Sequence, residues 1–297
     1  MKEQPQKPGF SKKPGFSRRH ITEAIAKGFM LLSFAVVAGS LGLILWTVLV
    51  KGLPALTWDM LTQTPKGGFY LGKEGGILNA IIGSLYLAGG GTFVALIFSL
   101  PLALYLEIYL GESRWGHSVR LSLDVLWGIP SIVYGAFGFT IMLALGMRAS
   151  LLGGIVVLAL IELPIMTRAM DEVIRRMPAD LEHAALALGS TKLETASRVV
   201  IRQMMPGIIT AILLGFGRGI GDAASVLFTA GYTDNIPTSL MRPAASLPLA
   251  VYFQLGTPFP EVQQRGYASA LILTIIVLVI SLGSRWIAAR VGKFSVK

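Results

Sequence analysis

Six long apolar segments dominate the chain and restrict what it can fold into. Four of them carry no charged residue: residues 28–50, 75–106, 125–147 and 266–284. Two more, residues 149–167 and 203–233, are interrupted by only one or two charges. About 20 predominantly apolar residues are enough for a helix to cross a bilayer, so each segment is long enough to be a transmembrane span.

We therefore predict an all-α integral membrane protein with six transmembrane helices, near residues 28–50, 77–106, 121–146, 150–170, 206–231 and 266–288. The composition agrees, because 53% of the residues are hydrophobic and only 14% are charged, whereas soluble domains carry about 25% charged residues. A cytosolic globular enzyme is thereby disfavoured. The absence of cysteine excludes thiolate metal sites. The three histidines, His20, His117 and His183, are not spaced as metal ligands, and we predict neither a metal nor a cofactor.

The basic residues predict the orientation of these spans. Nineteen Lys and Arg fall on one side of a six-span layout and six on the other. Because cytoplasmic loops carry the basic excess, we place both termini in the cytoplasm and the protein in the cell (inner or plasma) membrane. The apolar run of the first helix is longer than the 7–15 residues usual for a signal peptide, so we interpret it as an uncleaved anchor.

This layout divides the chain into four regions. Residues 1–27 form a basic cytoplasmic tail, expected to be disordered because it has few apolar residues and two Pro-Gly pairs. Residues 28–74 hold the first transmembrane anchor and an outward loop. Residues 75–290 form the core, with a charge-rich cytoplasmic loop at about 176–202, and residues 291–297 form a second cytoplasmic tail.

One motif in the outward loop could suggest a nucleotide site. Gly67, Gly72 and Lys73 have the spacing of a phosphate-binding loop. The next residue is Glu74, however, where a Ser or Thr should bind magnesium, and no buried strand precedes the motif. The loop also faces away from cytoplasmic ATP. We therefore expect a non-catalytic chain whose partner hydrolyses ATP.

The cytoplasmic loop at 176–202, here called the coupling loop, has the sequence of a helical hairpin. Pro178 can begin a helix and strong helix formers follow it. Gly189 suits the left-handed position that ends a helix, while Thr191 and Glu194 have capping-box spacing for a second one. We predict two short helices, although a simple connecting loop remains an alternative.

The fifth predicted span holds Arg218 near its middle, and a charge at that depth is costly unless it faces a cavity or a partner. Asp222 is four residues on, within reach on the same helix face. Glycines alternate around Arg218 and could weaken the helix or let a ligand approach the backbone. A role in a substrate pathway is our preferred interpretation. The alternatives are a purely structural ion pair and Gly-xxx-Gly helix packing.

The segment His183 to Gly189 resembles the EAA motif of ABC importer permeases. Together with the six-span layout, it looks like the transmembrane subunit of a type I importer, which has the MetI-like fold. More narrowly, the chain resembles the PstA-type permease of phosphate importers. The supporting segments are Asp124, residues 130–135, 164–168, 207–230 and 241–248. Three departures are that His183 replaces the motif Glu, Arg202 replaces a later proline, and Asp222 stands where a Glu is expected.

This resemblance implies a function and its residues. The coupling loop would dock on the ATPase through His183, Ala184, Ala185 and Gly189. Arg168 and Arg218 would face the phosphate pathway, with Asp222 beside Arg218, although Arg168 could also extend to the membrane surface. The implied partners are a homologous permease, two ATPase subunits, an extracytoplasmic phosphate-binding protein, inorganic phosphate and the lipid bilayer. No nucleic acid is expected.

Three alternatives remain open at this point. The first is the permease of another oxyanion importer, for molybdate or sulfate. The second is a proton-coupled secondary transporter in which Asp222 or Glu162 carries the proton. The third is a purely structural subunit of a membrane enzyme.

Overall fold

The computed structural model describes residues 18–66 and 74–291, which are mostly helical. The chain divides into two compact units, Met1–Thr47 and Val48–Lys297. The first unit is formed by helix α1, Arg18–Gly52, whose last turn belongs to the second. Helix α1 thus begins at Arg18 rather than near residue 28. The remainder of the predicted N-terminal tail, the glycine-lysine motif at 67–73 and the final six residues lie outside the described residues.

Three helices form the centre of the second unit. They are α3 (Leu78–Tyr105, continued by a π-helical turn to Leu110), α6 (Leu151–Arg175) and α9 (Ile201–Ile220). Helix α3 packs more extensively against α6 than any other pair of elements does in the described chain. Buried side chains of α3, α6 and α9, among them Ala95, Met166, Met170 and Ile208, form the largest core cluster of the described residues. The most apolar part of α6 is 72% buried, against 28% for α3, so α6 is the central helix.

The third predicted span is broken. Helices α4 (Arg114–Gly128) and α5 (Ser131–Ala144) meet at an angle of 93°. Pro130 lies at the break because it has no amide hydrogen to donate to a continuing helix and disfavours a helical residue before it. The described residues contain five helices that could span a membrane, or six if this bent pair counts as one span.

The fifth predicted span is also shorter than expected. Helix α9 ends at Ile220, and a separate short helix, α10 (Val226–Thr229), follows. Gly221 lies at the break, where a residue without a side chain weakens the helix. At its other end α9 continues without interruption from a π-helical segment, Thr195–Val200, and from the short helix α8, Lys192–Glu194.

The remaining elements are short, except for the last helix. A 3₁₀ turn follows α1, and β1 pairs antiparallel with β2, Pro65 opposite Gly75. The bounds of these remaining elements are Leu53–Ala55 for the 3₁₀ turn, Trp58–Thr62 for α2, Pro65–Lys66 for β1, Glu74–Gly75 for β2, Ala179–Ala187 for α7, Leu247–Leu255 for α11 and Pro260–Val291 for α12.

Candidate functional site

Arg218 and Asp222 form the ion pair that their four-residue spacing predicts. The Arg218 Nη1 atom lies 2.7 Å from Asp222 Oδ1. The Asp222 side chain is buried, and its other oxygen accepts hydrogen bonds from the amide of Ser225, at 2.9 Å, and from the Ser225 hydroxyl. The Arg218 side chain is 41% exposed. The carboxylate is therefore held in place on the protein side, while the guanidinium still has an open side.

The position of this pair differs from the sequence prediction in one respect. Arg218 lies two residues from the C-terminal end of α9, not in the middle of an unbroken helix. Gly219 nevertheless packs against Glu162, which lies near the middle of α6. Arg218 is thus level with the centre of α6.

The glycines around Arg218 have two different roles. Gly215 and Gly219 pack directly against Met166 and Glu162 of α6, where a side chain would collide. A methyl group on Gly217, by contrast, would meet no atom within 4 Å. One Gly-xxx-Gly pair is therefore a helix-packing surface, and the intervening Gly217 lies in open space beside Arg218. The helix-packing interpretation is therefore confirmed for Gly215 and Gly219, while ligand approach at Gly217 stays a prediction.

Glu162 is enclosed between three helices. Its side chain is fully buried, and its Oε2 atom accepts a hydrogen bond of 2.7 Å from the Thr92 hydroxyl of α3. The Oε1 atom has no hydrogen-bond partner among the described residues. A carboxylate this enclosed does not face a neighbouring subunit. No cluster of His, Asp and Glu in residues 18–66 and 74–291 could hold a metal ion.

Arg168 belongs to a separate set of ion pairs. Helix α6 continues to Arg175, so Arg168 lies within this helix and does not close it. Its Nε atom is 2.6 Å from Asp124 Oδ1, and its Nη1 atom is 2.9 Å from Asp171 Oδ2. The described contacts therefore give Arg168 and Arg218 different carboxylate partners and do not join them.

Asp171 also binds Arg120, which lies just before the third predicted span and was not predicted as a site residue. The Nε and Nη2 atoms of Arg120 donate to the two Asp171 oxygens at 2.9 and 3.0 Å. The Nη2 atom also lies 2.9 Å from Glu107 Oε2, and Nη1 donates to the Gly111 carbonyl at 2.6 Å. The Arg120 side chain is only 8% exposed. This cluster ties the end of α3 to α4 and α6.

The coupling loop has the predicted caps. Gly189 has a φ of +86°, and the amides of Ser190 and Gly189 donate to the carbonyls of Ala185 and Leu186, the double hydrogen bond of a Schellman cap. Thr191 and Glu194 form the predicted capping box. The second predicted short helix is instead the beginning of the continuous helical segment that ends at Ile220.

The exposed surface of the coupling loop is partly apolar. Leu188 is 89% exposed and Leu193 is 69% exposed, which is unusual for large apolar side chains in charge-rich surroundings. His183 and Ala184 are exposed, and Ala185 is half-buried. This surface therefore has the character of a binding site for another protein.

Comparison with known proteins agrees with this architecture. Residues 95–294 match the family model described as the inner membrane component of binding-protein-dependent transport systems. The chain is 35% identical to the phosphate transport system permease protein PstA 1 of Mycobacterium tuberculosis, covering 97% of this chain and 96% of that protein. It is 32% identical to PstA of Haemophilus influenzae, covering 82% and 85%.

Solved structures show the same fold. A methionine ABC transporter, MetNI, in inward-facing conformations aligns with a TM-score of 0.61 and 17% identity, covering 72% of this chain and 95% of that chain. A bacterial alginate ABC transporter aligns with a TM-score of 0.57 and 15% identity, covering 92% and 99%. These are multi-pass permeases of the type I, MetI-like fold. The chain therefore belongs to the family of binding-protein-dependent transport system inner membrane components, the membrane permeases of ABC importers.

Proposed function

We propose that this chain is the transmembrane permease subunit of an ATP-driven importer of inorganic phosphate. The observation that carries the proposal is the half-exposed Arg218 guanidinium, fixed by buried Asp222 at a helix break. The phosphate permeases to which the chain is similar support the choice of substrate. Phosphate is a tetrahedral dianion, and an arginine offers it two parallel, charge-assisted hydrogen bonds.

In this proposal Arg218 and Arg168, each held by carboxylates, are the cationic contacts for phosphate along the pathway. Asp222 orients the Arg218 guanidinium and partly neutralises it, so that phosphate binds weakly enough to leave again. Arg168, with a 25% exposed side chain held by Asp124 and Asp171, is the second cationic contact. Neither arginine changes the substrate chemically, and we assign no catalytic residue to the chain.

The coupling loop gives the proposed link to ATP hydrolysis. We propose that α7, with exposed His183 and Ala184 and the Gly189 turn beyond it, docks on an ATPase subunit, while Leu188 supplies an apolar anchor. The complete importer in this proposal has a homologous permease, two ATPase subunits and an extracytoplasmic phosphate-binding protein. Both termini of this chain lie in the cytoplasm and the protein in the inner membrane.

Uptake of radioactive phosphate by the reconstituted importer tests this function. We expect uptake that requires ATP and the ATPase subunits, with no displacement by an excess of sulfate or molybdate. Displacement by either anion would assign the chain to another oxyanion importer. Uptake by this chain alone, abolished by a protonophore, would instead support the proton-coupled alternative.

The turn at Gly189 gives a second test, directed at coupling. We expect Gly189→Ala to reduce ATPase copurification and ATP-dependent uptake about fivefold, because a side chain at positive φ costs about 1 kcal/mol. Gly283→Ala is the matched control, since Gly283 lies in α12 with open space around it and should change neither quantity. Normal copurification by Gly189→Ala would remove the turn from the ATPase contact.

A further inference from the structure

A groove between α9 and α12 contains a second arginine beside the Arg218 site. The groove has a volume of about 430 Å³, and its two charged lining residues are Arg218 of α9 and Arg285 of α12. Thr210, Ser281 and Gly217 line it as well. None of the described residues that line the groove is a carboxylate. It is therefore a cationic groove that includes the proposed substrate contact.

The packing of the helix ends shows how the two arginines are arranged. The beginning of α12, at Ala268 and Ile272, shares a core cluster with Ala80 at the beginning of α3. The π-helical segment that leads directly into α9, at Ala196 and Val200, shares another cluster with the other end of α3. Helices α9 and α12 therefore run in opposite directions.

This antiparallel packing places the arginines at opposite ends of the groove. Arg218 follows Thr210 by eight residues on α9, which is about 12 Å of helix. Arg285 is likewise the last lining residue of α12, eight residues after Val277, and because the helices are antiparallel it lies toward the opposite end of the groove from Arg218. Arg285 thus lies at the end of the groove that is closer to the coupling loop, on the side where α9 begins.

The two guanidinium groups differ in how they are held. Arg218 is paired with Asp222. Arg285 is exposed and has no ion pair within the described parts of the chain. A path of several moderate sites lets an ion both enter and leave, whereas one strong site retains it. Arg285, at the other end of the groove from Arg218, is therefore suitable as the second of two such moderate anion sites.

We infer that Arg285 is a further anion contact of the permeation path, which receives phosphate after Arg218 and before its release on the side of the coupling loop. The inference rests on the proposed function for the identity of the anion. The cationic character of the groove, however, can be measured without any transport assay.

The absence of cysteine from the chain allows a direct test in the assembled importer. Ser281→Cys places one thiol in the groove. We expect an anionic methanethiosulfonate to modify it about tenfold faster than a cationic one of similar size, because a cationic cleft concentrates anions. Phosphate should slow the reaction, and Arg285→Gln should abolish the charge preference. Mass spectrometry of the intact chain, followed over time, measures the rate at which each reagent modifies the thiol.

Two matched controls accompany the test. Val279→Cys lies on α12 outside the groove lining and should show no preference. Arg290→Gln removes an arginine whose Cζ atom lies 4.4 Å from the centre of the Trp286 ring. It should leave the preference of the Ser281→Cys thiol for the anionic reagent unchanged. If Ser281→Cys does not assemble, Ile280→Cys, at the neighbouring lining position, replaces it.

The outcomes separate this inference from the proposed function. Equal rates for the two reagents, or a preference that survives Arg285→Gln, would overturn the role of Arg285. A tenfold loss of phosphate uptake by Arg285→Gln, recovered in part by Arg285→Lys, would support it. A third outcome is that the charge preference depends on Arg285, but sulfate or molybdate slows the modification and phosphate does not. That result would support the groove as an anion path and overturn phosphate as its substrate.

Discussion

The variant Arg218→Gln is expected to lose phosphate uptake by about 10- to 100-fold while the importer still assembles. Glutamine keeps hydrogen-bonding ability but removes the charge and the fork geometry. Hydrogen bonds to charged groups contribute about 1.5–3 kcal/mol, and each 1.4 kcal/mol corresponds to about a tenfold change. ATP-dependent uptake at equal amounts of assembled complex measures the effect.

Two further variants separate transport from folding. Arg218→Gln leaves Asp222 without its cation, although Ser225 still donates to the carboxylate. Combining it with Asp222→Asn should restore any lost stability but not uptake. Arg176→Gln removes an arginine from an exposed pair with Glu172 and should transport normally. Full uptake by Arg218→Gln would mean that the Arg218–Asp222 pair is only structural.

The variant Arg120→Met is expected to have the largest effect on stability. Removing one partner of a buried ion pair costs about 3–5 kcal/mol, because the other charge stays buried. We expect the lower end, about 3 kcal/mol, since Arg168 still binds Asp171 at 2.9 Å. The melting temperature in detergent should fall by roughly 10 °C.

Arg176→Met is the matched control for this loss of stability. Its guanidinium also binds a carboxylate on α6, at 3.0 Å, but both side chains are more than half exposed. Exposed pairs of this kind contribute about 0.3–0.5 kcal/mol. Equal melting temperatures for Arg120→Met and Arg176→Met would show that the Asp171 cluster does not stabilise the fold. Arg120→Lys should rescue only in part, because lysine lacks the two-pronged geometry that meets both Asp171 oxygens.

Features that depend on local chemistry could be predicted from the sequence. Charge-free runs gave the approximate positions of the long helices, since length and apolar composition alone decide whether a helix can span a bilayer. The Gly189 turn and the Thr191 capping box also depend on only a few neighbouring residues, and the structure confirms both. The pairing of Arg218 with Asp222 was predicted from their four-residue spacing and is confirmed, although Asp222 lies just beyond the end of α9.

Features that depend on distant parts of the chain could not be predicted in the same way. The end of α9 at Gly221 could not be predicted because the apolar segment continues beyond it. Composition alone does not show where the backbone hydrogen bonds of a helix stop. The buried position of Arg120 could not be predicted because its partner Asp171 lies 51 residues further along the chain. A weak signal existed, since Asp171 follows Arg168 by one helical turn and such residues face the same side.

The uninterrupted helical segment from Lys192 to Ile220 has a mechanical consequence. It connects the capping box of the coupling loop to Arg218 over 26 residues, about 39 Å of rise in helical geometry. A rod of that length tilting by about 10° around its lower end displaces the upper end by roughly 7 Å. That displacement exceeds the reach of one hydrogen bond, so in the proposed importer a small movement of the coupling loop would be enough to carry the Arg218 guanidinium from one anion position to another.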